Sequence, residues 1–207
     1  MTRKVILASA SPSRKRLLES VQIPFDVLVS GVDEENPEIT KLSPSEMVIA
    51  LAILKAHTVK NTFHIDVNSL IIGCDSTFEF NGQNLGKPIT RDAAIARAKA
   101  MSGQAGLLHT GHCIIDTAQG IEVSDISTAK VQFAKMSDEE IENYVASGEP
   151  LNVAGGFTLD GLSAPFISRI EGDPSGIIGL SLPTLRTMIL SLGLKWSDLT
   201  GKVQVRA

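Results

Sequence analysis

The stretch Lys4 to Ser20, KVILASASPSRKRLLES, constrains the fold more than any other part of the chain. Lys4 to Ala8 is a short apolar run ending in small residues, the pattern of a buried strand. It passes into helix-start signals, with Ser11 as N-cap and Pro12 at the first helical position. A strand feeding a helix through a few small residues is the opening unit of an α/β fold. The first helical turn then carries Arg14, Lys15 and Arg16. Cations at the positive end of a helix dipole cost ~0.3–1 kcal/mol each when exposed. A bound anion would offset them, and a capped helix with a solvated basic face is the alternative, the simpler one for Lys15 and Arg16.

The same alternation continues. Phe25 to Val29 reads as a strand, and GVDEENPEITK from Gly31 as an acidic loop with neither helical nor strand period. Ser43 and Glu46 form a capping box for a helix running to about Lys60. Leu70-Ile-Ile-Gly-Cys reads as a buried strand with Asp75 at its end, and Asn81-Gly82 as a hairpin turn. A helix is expected over about Arg91 to Met101, then strands over Leu107 to Ile115 and Ile121 to Phe133 around the Asp116–Gly120 turn. Ser137 and Glu140 open another helix ending near Gly148, EPLNVAGGFTLDG is loop, and a last helix spans about Pro183 to Leu192. Helices alternating with strands give an α/β class, and the hairpins in the middle make the sheet mixed.

Size and composition narrow the function classes. With 207 residues the chain has room for one domain, or one domain with two lobes. It is 43% hydrophobic and 20% charged, an ordinary globular balance rather than a disordered one. A net charge of −4 argues against a nucleic-acid surface, which needs a broad basic face. No apolar run reaches the length of a membrane span and the N-terminus lacks a signal-peptide core, so a cytoplasmic protein is expected. Cys74 and Cys113 have neither CxxC nor zinc-site spacing and read as buried thiols. The four histidines lack HExxH or HxxxH spacing, and GxSxG, Walker and GxGxxG motifs are absent.

Several residues still carry chemistry. Small residues from Ala8 to Ser13 let backbone N–H groups approach a ligand at a helix N-terminus, so Ser9, Ser11 and Arg14 are phosphate-binding candidates. Asp33, Glu34 and Glu35 are either a solvated loop or hard oxygen ligands for Mg²⁺ or Mn²⁺. Asp75 is costly to bury after an apolar strand without a partner. Lys55, within LAILKA, must snorkel or find an anion, and Lys87 in LGKP reads as a surface lysine.

Together LASASPSR, VDEE, LAILKA, CDS…LGKP, YVASGEPLNVAGGF and IEGDPSGIIGLSLP resemble, in order and spacing, the Maf family of nucleotide pyrophosphatases, over about Val5 to Leu192. The resemblance implies one domain over residues 1–207, a twisted mixed β-sheet flanked by helices, and two lobes with a central cleft, similar to inosine-triphosphate pyrophosphatases. It also implies a homodimer and a house-cleaning hydrolase that splits nucleoside triphosphates, some of them modified, into monophosphate and pyrophosphate with Mg²⁺ or Mn²⁺. By position, Asp75 resembles the family's catalytic carboxylate. Glu34 and Asp75 match metal ligands; Ser9, Ser11 and Arg14 match the phosphate motif; Lys55 and Lys87 match lysines that neutralise the triphosphate.

The chain departs from common family patterns at Ser13, Ser76 and Asp160, positions associated with base choice, and Gly106 stands where a histidine is frequent. His109 is not assigned that histidine's role. The expected function is therefore a nucleoside triphosphate pyrophosphatase of undetermined base preference. The alternative is a non-catalytic nucleotide-sensing regulator of cell division.

Overall fold

The opening apolar run forms β1 (Lys4–Leu7), buried on three of its four residues. It pairs in parallel with β2 (Phe25–Val27) and β3 (Ser69–Phe80). Parallel neighbours require crossovers, supplied by α1 (Pro12–Ser20) between β1 and β2 and by α3 (Pro44–Thr62) between β2 and β3. The computed structural model describes residues 3–34 and 36–200; Glu35 of the acidic loop lies outside the described residues. That loop is not wholly irregular. Asn36 caps a single helical turn, α2 (Pro37–Thr40), too short to carry a period.

Two corrections concern strand length. β2 stops at Val27, and Val29 is half exposed beyond it. Asp75 is not at a strand end: β3 continues to Phe80, placing the carboxylate inside a twelve-residue strand. The apolar residues Phe78 and Phe80 renew the buried pattern past it, and a cationic partner described below makes the buried charge tolerable.

The remaining elements are β4 (Gln83–Leu85), α4 (Arg91–Met101), β5 (Ala105–Asp116), β6 (Ile121–Phe133), α5 (Asp138–Ala146), β7 (Ile167–Glu171), α6 (Pro174–Ile178) and α7 (Leu182–Ser191). The Asn81-Gly82 hairpin joins β3 to antiparallel β4, with φ of 52° and 73° at its two residues, the left-handed pair such a turn needs. Seven strands form one open mixed sheet in the order β2-β1-β3-β5-β6-β7, with β4 beside β3. The glycine-rich stretch after α5 contains short 3₁₀ turns at Glu149–Asn152 and Ala154–Gly156 rather than plain loop. Both expected capping boxes form, at Ser43–Glu46 and Ser137–Glu140.

Two compact units divide the chain. The first takes the described residues up to Asp75, then Gly111–Ile126 and those from Leu182 onward. Its core joins Ile6, Ala8, Ala52, Ala56, Ile71 and Cys113. The second takes Ser76–Thr110 and Ser127–Ser181, around Phe78, Phe133 and Phe157, whose rings meet edge to face at centroid distances of 5.0–5.9 Å.

In the first unit α3 lies unusually close to the sheet, and two glycines make that possible. A Cβ on Gly73 would fall 2.0 Å from the carbonyl oxygen of Ala52, and one on Gly111 2.3 Å from that of Val48. With Ala52 and Ala56 also small and fully buried on the facing side of α3, the helix backbone seats directly on β3. Lys55 comes with it.

Candidate active site

Lys55 is buried in the interior of α3, where its ammonium could not remain without anions. It has two. Nζ donates to Asp75 Oδ1 at 2.6 Å, and Glu34 Oε1 lies 2.6 Å from the same nitrogen. Asp75 is buried on β3, whereas the Glu34 side chain reaches in from an exposed turn before α2. Burial pushes the Asp75 carboxyl above the usual carboxylate range, although the Lys55 ammonium and then the Arg14 guanidinium pull the other way. Desolvation outweighs the two cations, so this carboxylate is more basic than an ordinary aspartate.

Arg14 accounts for its place in the first helical turn by turning inward. It is buried, and its Nη1 donates to Ser9 Oγ at 3.0 Å. The backbone N–H of Ser11 donates to the same oxygen at 3.2 Å, and Ser11 Oγ caps α1 by accepting from the Arg14 N–H. Ser9, Ser11 and Arg14 thus form one hydrogen-bonded group where β1 gives way to α1. Behind it, burial pushes the Cys74 thiol up to about 11 despite the nearby Arg14 charge, so this sulfur is a neutral packing group. Cys113 is likewise a buried free thiol. Arg16 remains at the surface, donating to Ser13 Oγ at 3.0 Å.

The other candidates belong to the second unit. Lys87 is exposed on the segment after β4, and Asp160 is exposed as well. Ser76 is half-buried, 2.8 Å from Thr110 Oγ1, which in turn donates to the Gly176 carbonyl at 2.8 Å. The Asp160 turn is pinned by a residue that sequence reasoning did not single out. Glu149 accepts from Thr158 Oγ1 at 2.7 Å and from the Leu162 N–H at 3.0 Å. Gly161 has no room for a side chain beneath this clamp: its Cβ would lie 2.4 Å from Thr158 Oγ1. Only the adjacency of Glu149 to the glycine-rich stretch could have pointed to it.

The Gly106 departure has a steric cause. A Cβ there would fall 2.3 Å from the Phe78 ring, so no histidine fits beside that phenylalanine. His109 instead sits between Thr128 Oγ1 and Glu79 Oε2, each 2.9 Å from a ring nitrogen.

A divalent metal is implied by the resemblance, and the donor set can be tested against it. Among the described residues no cluster of three or more His, Cys, Asp or Glu side chains could hold a metal. Glu34 and Asp75 nevertheless present two carboxylate oxygens to one point, the point taken by the Lys55 ammonium. Mg²⁺ is characteristically held by one or two carboxylates, with water and substrate phosphate completing its shell. The pair fits that habit.

The chain has relatives of nearly its own length. The chain is 50% identical over 197 residues to the nucleoside triphosphate pyrophosphatase of Streptomyces coelicolor, covering 95% of this chain and 94% of that protein. It is 47% identical over 193 residues to the protein of that name from Salinispora tropica, covering 92% and 84%. A third so named, from Thermosynechococcus vestitus, is 45% identical over 197 residues, covering 95% and 98%. The family model described as Maf-like protein matches residues 4–192. The chain belongs to the Maf-like protein family.

Proposed function

We propose that this chain is a nucleoside triphosphate pyrophosphatase that hydrolyses the bond between the α and β phosphates, releasing a monophosphate and pyrophosphate. The observation that carries the reading is Asp75, a buried carboxylate kept more basic than usual while facing the charges of Lys55 and Arg14. The names carried by relatives of nearly full length support it.

In this reading Ser9, Ser11 and Arg14 bind phosphate at the start of α1, where N–H groups and the helix dipole favour anions. Lys55 and Lys87 offset the charge that grows on the leaving pyrophosphate. Asp75 accepts the proton of the attacking water as its oxygen bonds to phosphorus and the phosphorus–bridging oxygen bond breaks. Glu34 and Asp75 would hold Mg²⁺ or Mn²⁺, which when bound polarises phosphate oxygens and acidifies water. Ser13, Ser76 and Asp160 are assigned to base choice by their positions in the family pattern. The same reading takes residues 1–207 as one Maf-like domain, and the protein as a cytoplasmic homodimer. No helix among the described residues is long and apolar enough to cross a membrane.

The test is pyrophosphate release by purified protein with Mg²⁺ or Mn²⁺ across normal and modified nucleoside triphosphates. Release from at least one is expected. Nucleotide binding without turnover of any would overturn the enzyme reading and favour the nucleotide-sensing regulator.

A further inference from the structure

We propose that Lys55 occupies the metal position in the nucleotide-free protein and keeps divalent cations out until a nucleotide draws its ammonium away. The inference rests on the nucleotide reading for what displaces Lys55, but its first claim concerns the free protein alone. Glu34 Oε1 and Asp75 Oδ1 each lie 2.6 Å from Nζ, so the two oxygens suited to a cation are already engaged by one. This is not a loose surface pairing: the Lys55 side chain is 7% exposed and the Asp75 side chain 11%. In such a setting charges are weakly screened.

The local charge balance leads to the same place. Lys55 and Arg14, the two cations acting on Asp75, match the charges of Asp75 and Glu34. A divalent cation entering this group would add uncompensated positive charge beside a buried ammonium. If it arrives with a polyphosphate, its charge is already matched, and the phosphate offers Lys55 a replacement anion.

The lysine is suited to such an exchange. Its head is a compact charge on a flexible four-carbon stem, able to change partners while its backbone stays fixed. The backbone here is fixed, because α3 is seated on β3 through Gly73. Glu34, on an exposed turn with its side chain 53% exposed, is the partner most able to follow either cation.

Mn²⁺ binding to the full-length, nucleotide-free protein, followed by electron paramagnetic resonance, tests the proposal without any turnover. Wild type is expected to bind Mn²⁺ no more tightly than the millimolar range. Lys55→Met, which removes the charge and keeps an unbranched apolar stem, is expected to bind at least tenfold more tightly. Lys55→Arg should stay as weak as wild type, and adding Asp75→Asn to Lys55→Met should abolish the gain. Equal affinity in wild type and a folded Lys55→Met protein would overturn the proposal. Micromolar Mn²⁺ binding by nucleotide-free wild type would overturn it even if Lys55→Met fails to fold. Neither result bears on pyrophosphate release, whose failure would sink the functional reading separately.

Discussion

Asp75 is at once a buried charge and a base. Because burial raises its carboxyl above the ordinary aspartate value of about 3.9, it takes up a proton at a higher pH than an exposed aspartate does. The ionised form is the one that can accept a proton from water, so the rate should fall as pH drops through the raised value. A profile of kcat/KM against pH is expected to show an acid limb centred above the ordinary aspartate value. Asp75→Asn should lower kcat by about 10²–10⁴-fold, with nucleotide binding largely kept. An acid limb at or below the ordinary value would remove Asp75 from this role. The same shift has a stability consequence with a definite sign: the folded state binds this proton more tightly than the unfolded one. The associated stabilisation is present below the ordinary aspartate value and is lost as pH rises through the raised one.

The element that delivers Lys55 is α3, which buries Val48, Leu51 and Val59 and sits close to the sheet because Gly73 and Gly111 leave it room. Gly73→Ala would place a methyl 2.0 Å from the Ala52 carbonyl oxygen, a backbone atom that cannot swing aside, so the helix must lift. Overpacking of this kind typically costs about 1–3 kcal/mol. Urea unfolding of Gly73→Ala should show a loss in at least that range. Gly86→Ala is the control, since a Cβ there meets nothing within 4 Å and the residue has no positive φ. It should stay within about 0.5 kcal/mol of wild type. Equal stability of the two variants would show that α3 tolerates displacement, and the account of how Lys55 is held would fail.

At the scale of the whole chain, residues far apart in sequence are tied through Asp116 at the end of β5. Its fully buried side chain accepts from Arg3, from the Ala118 N–H and from Gln119, whose amide also donates to the Leu192 carbonyl. Burial works to raise this carboxyl, but hydrogen bonds from Gln119, Ala118 and Arg3 together hold it below its ordinary value. A depressed carboxylate contributes stability above its unfolded-state value and loses that contribution as pH falls through the folded one. Asp116→Ala leaves the Arg3 guanidinium without this anion and should cost about 3 kcal/mol near neutral pH. The difference from wild type should shrink in acid. A difference that persists unchanged once pH has fallen through the depressed folded-state value would mean that packing, not charge, accounts for the loss.

What could be read from the sequence was local chemistry. Ser11, Ser43 and Ser137 announce helix starts because a cap bonds within three residues, and Asn81-Gly82 announces a hairpin because few residue pairs adopt left-handed φ together. The strand–helix alternation followed from such signals, and the family pattern from the resemblance of six motifs in order. The short turn α2, the length of β3 beyond Asp75 and the clamp by Glu149 were not legible. Each depends on a partner that periodicity does not register. Gly73 stood within an expected buried strand and Gly106 where a histidine is frequent, and only their neighbours, Ala52 and Phe78, show what each glycine makes room for. The sequence by itself determined which chemical groups were available: an aspartate following an apolar run, a lysine in an apolar helix and an acidic turn. Tertiary structure alone decided that the three share one point, because an ion pair between residues 20 or more positions apart exists only after the backbone has closed that distance.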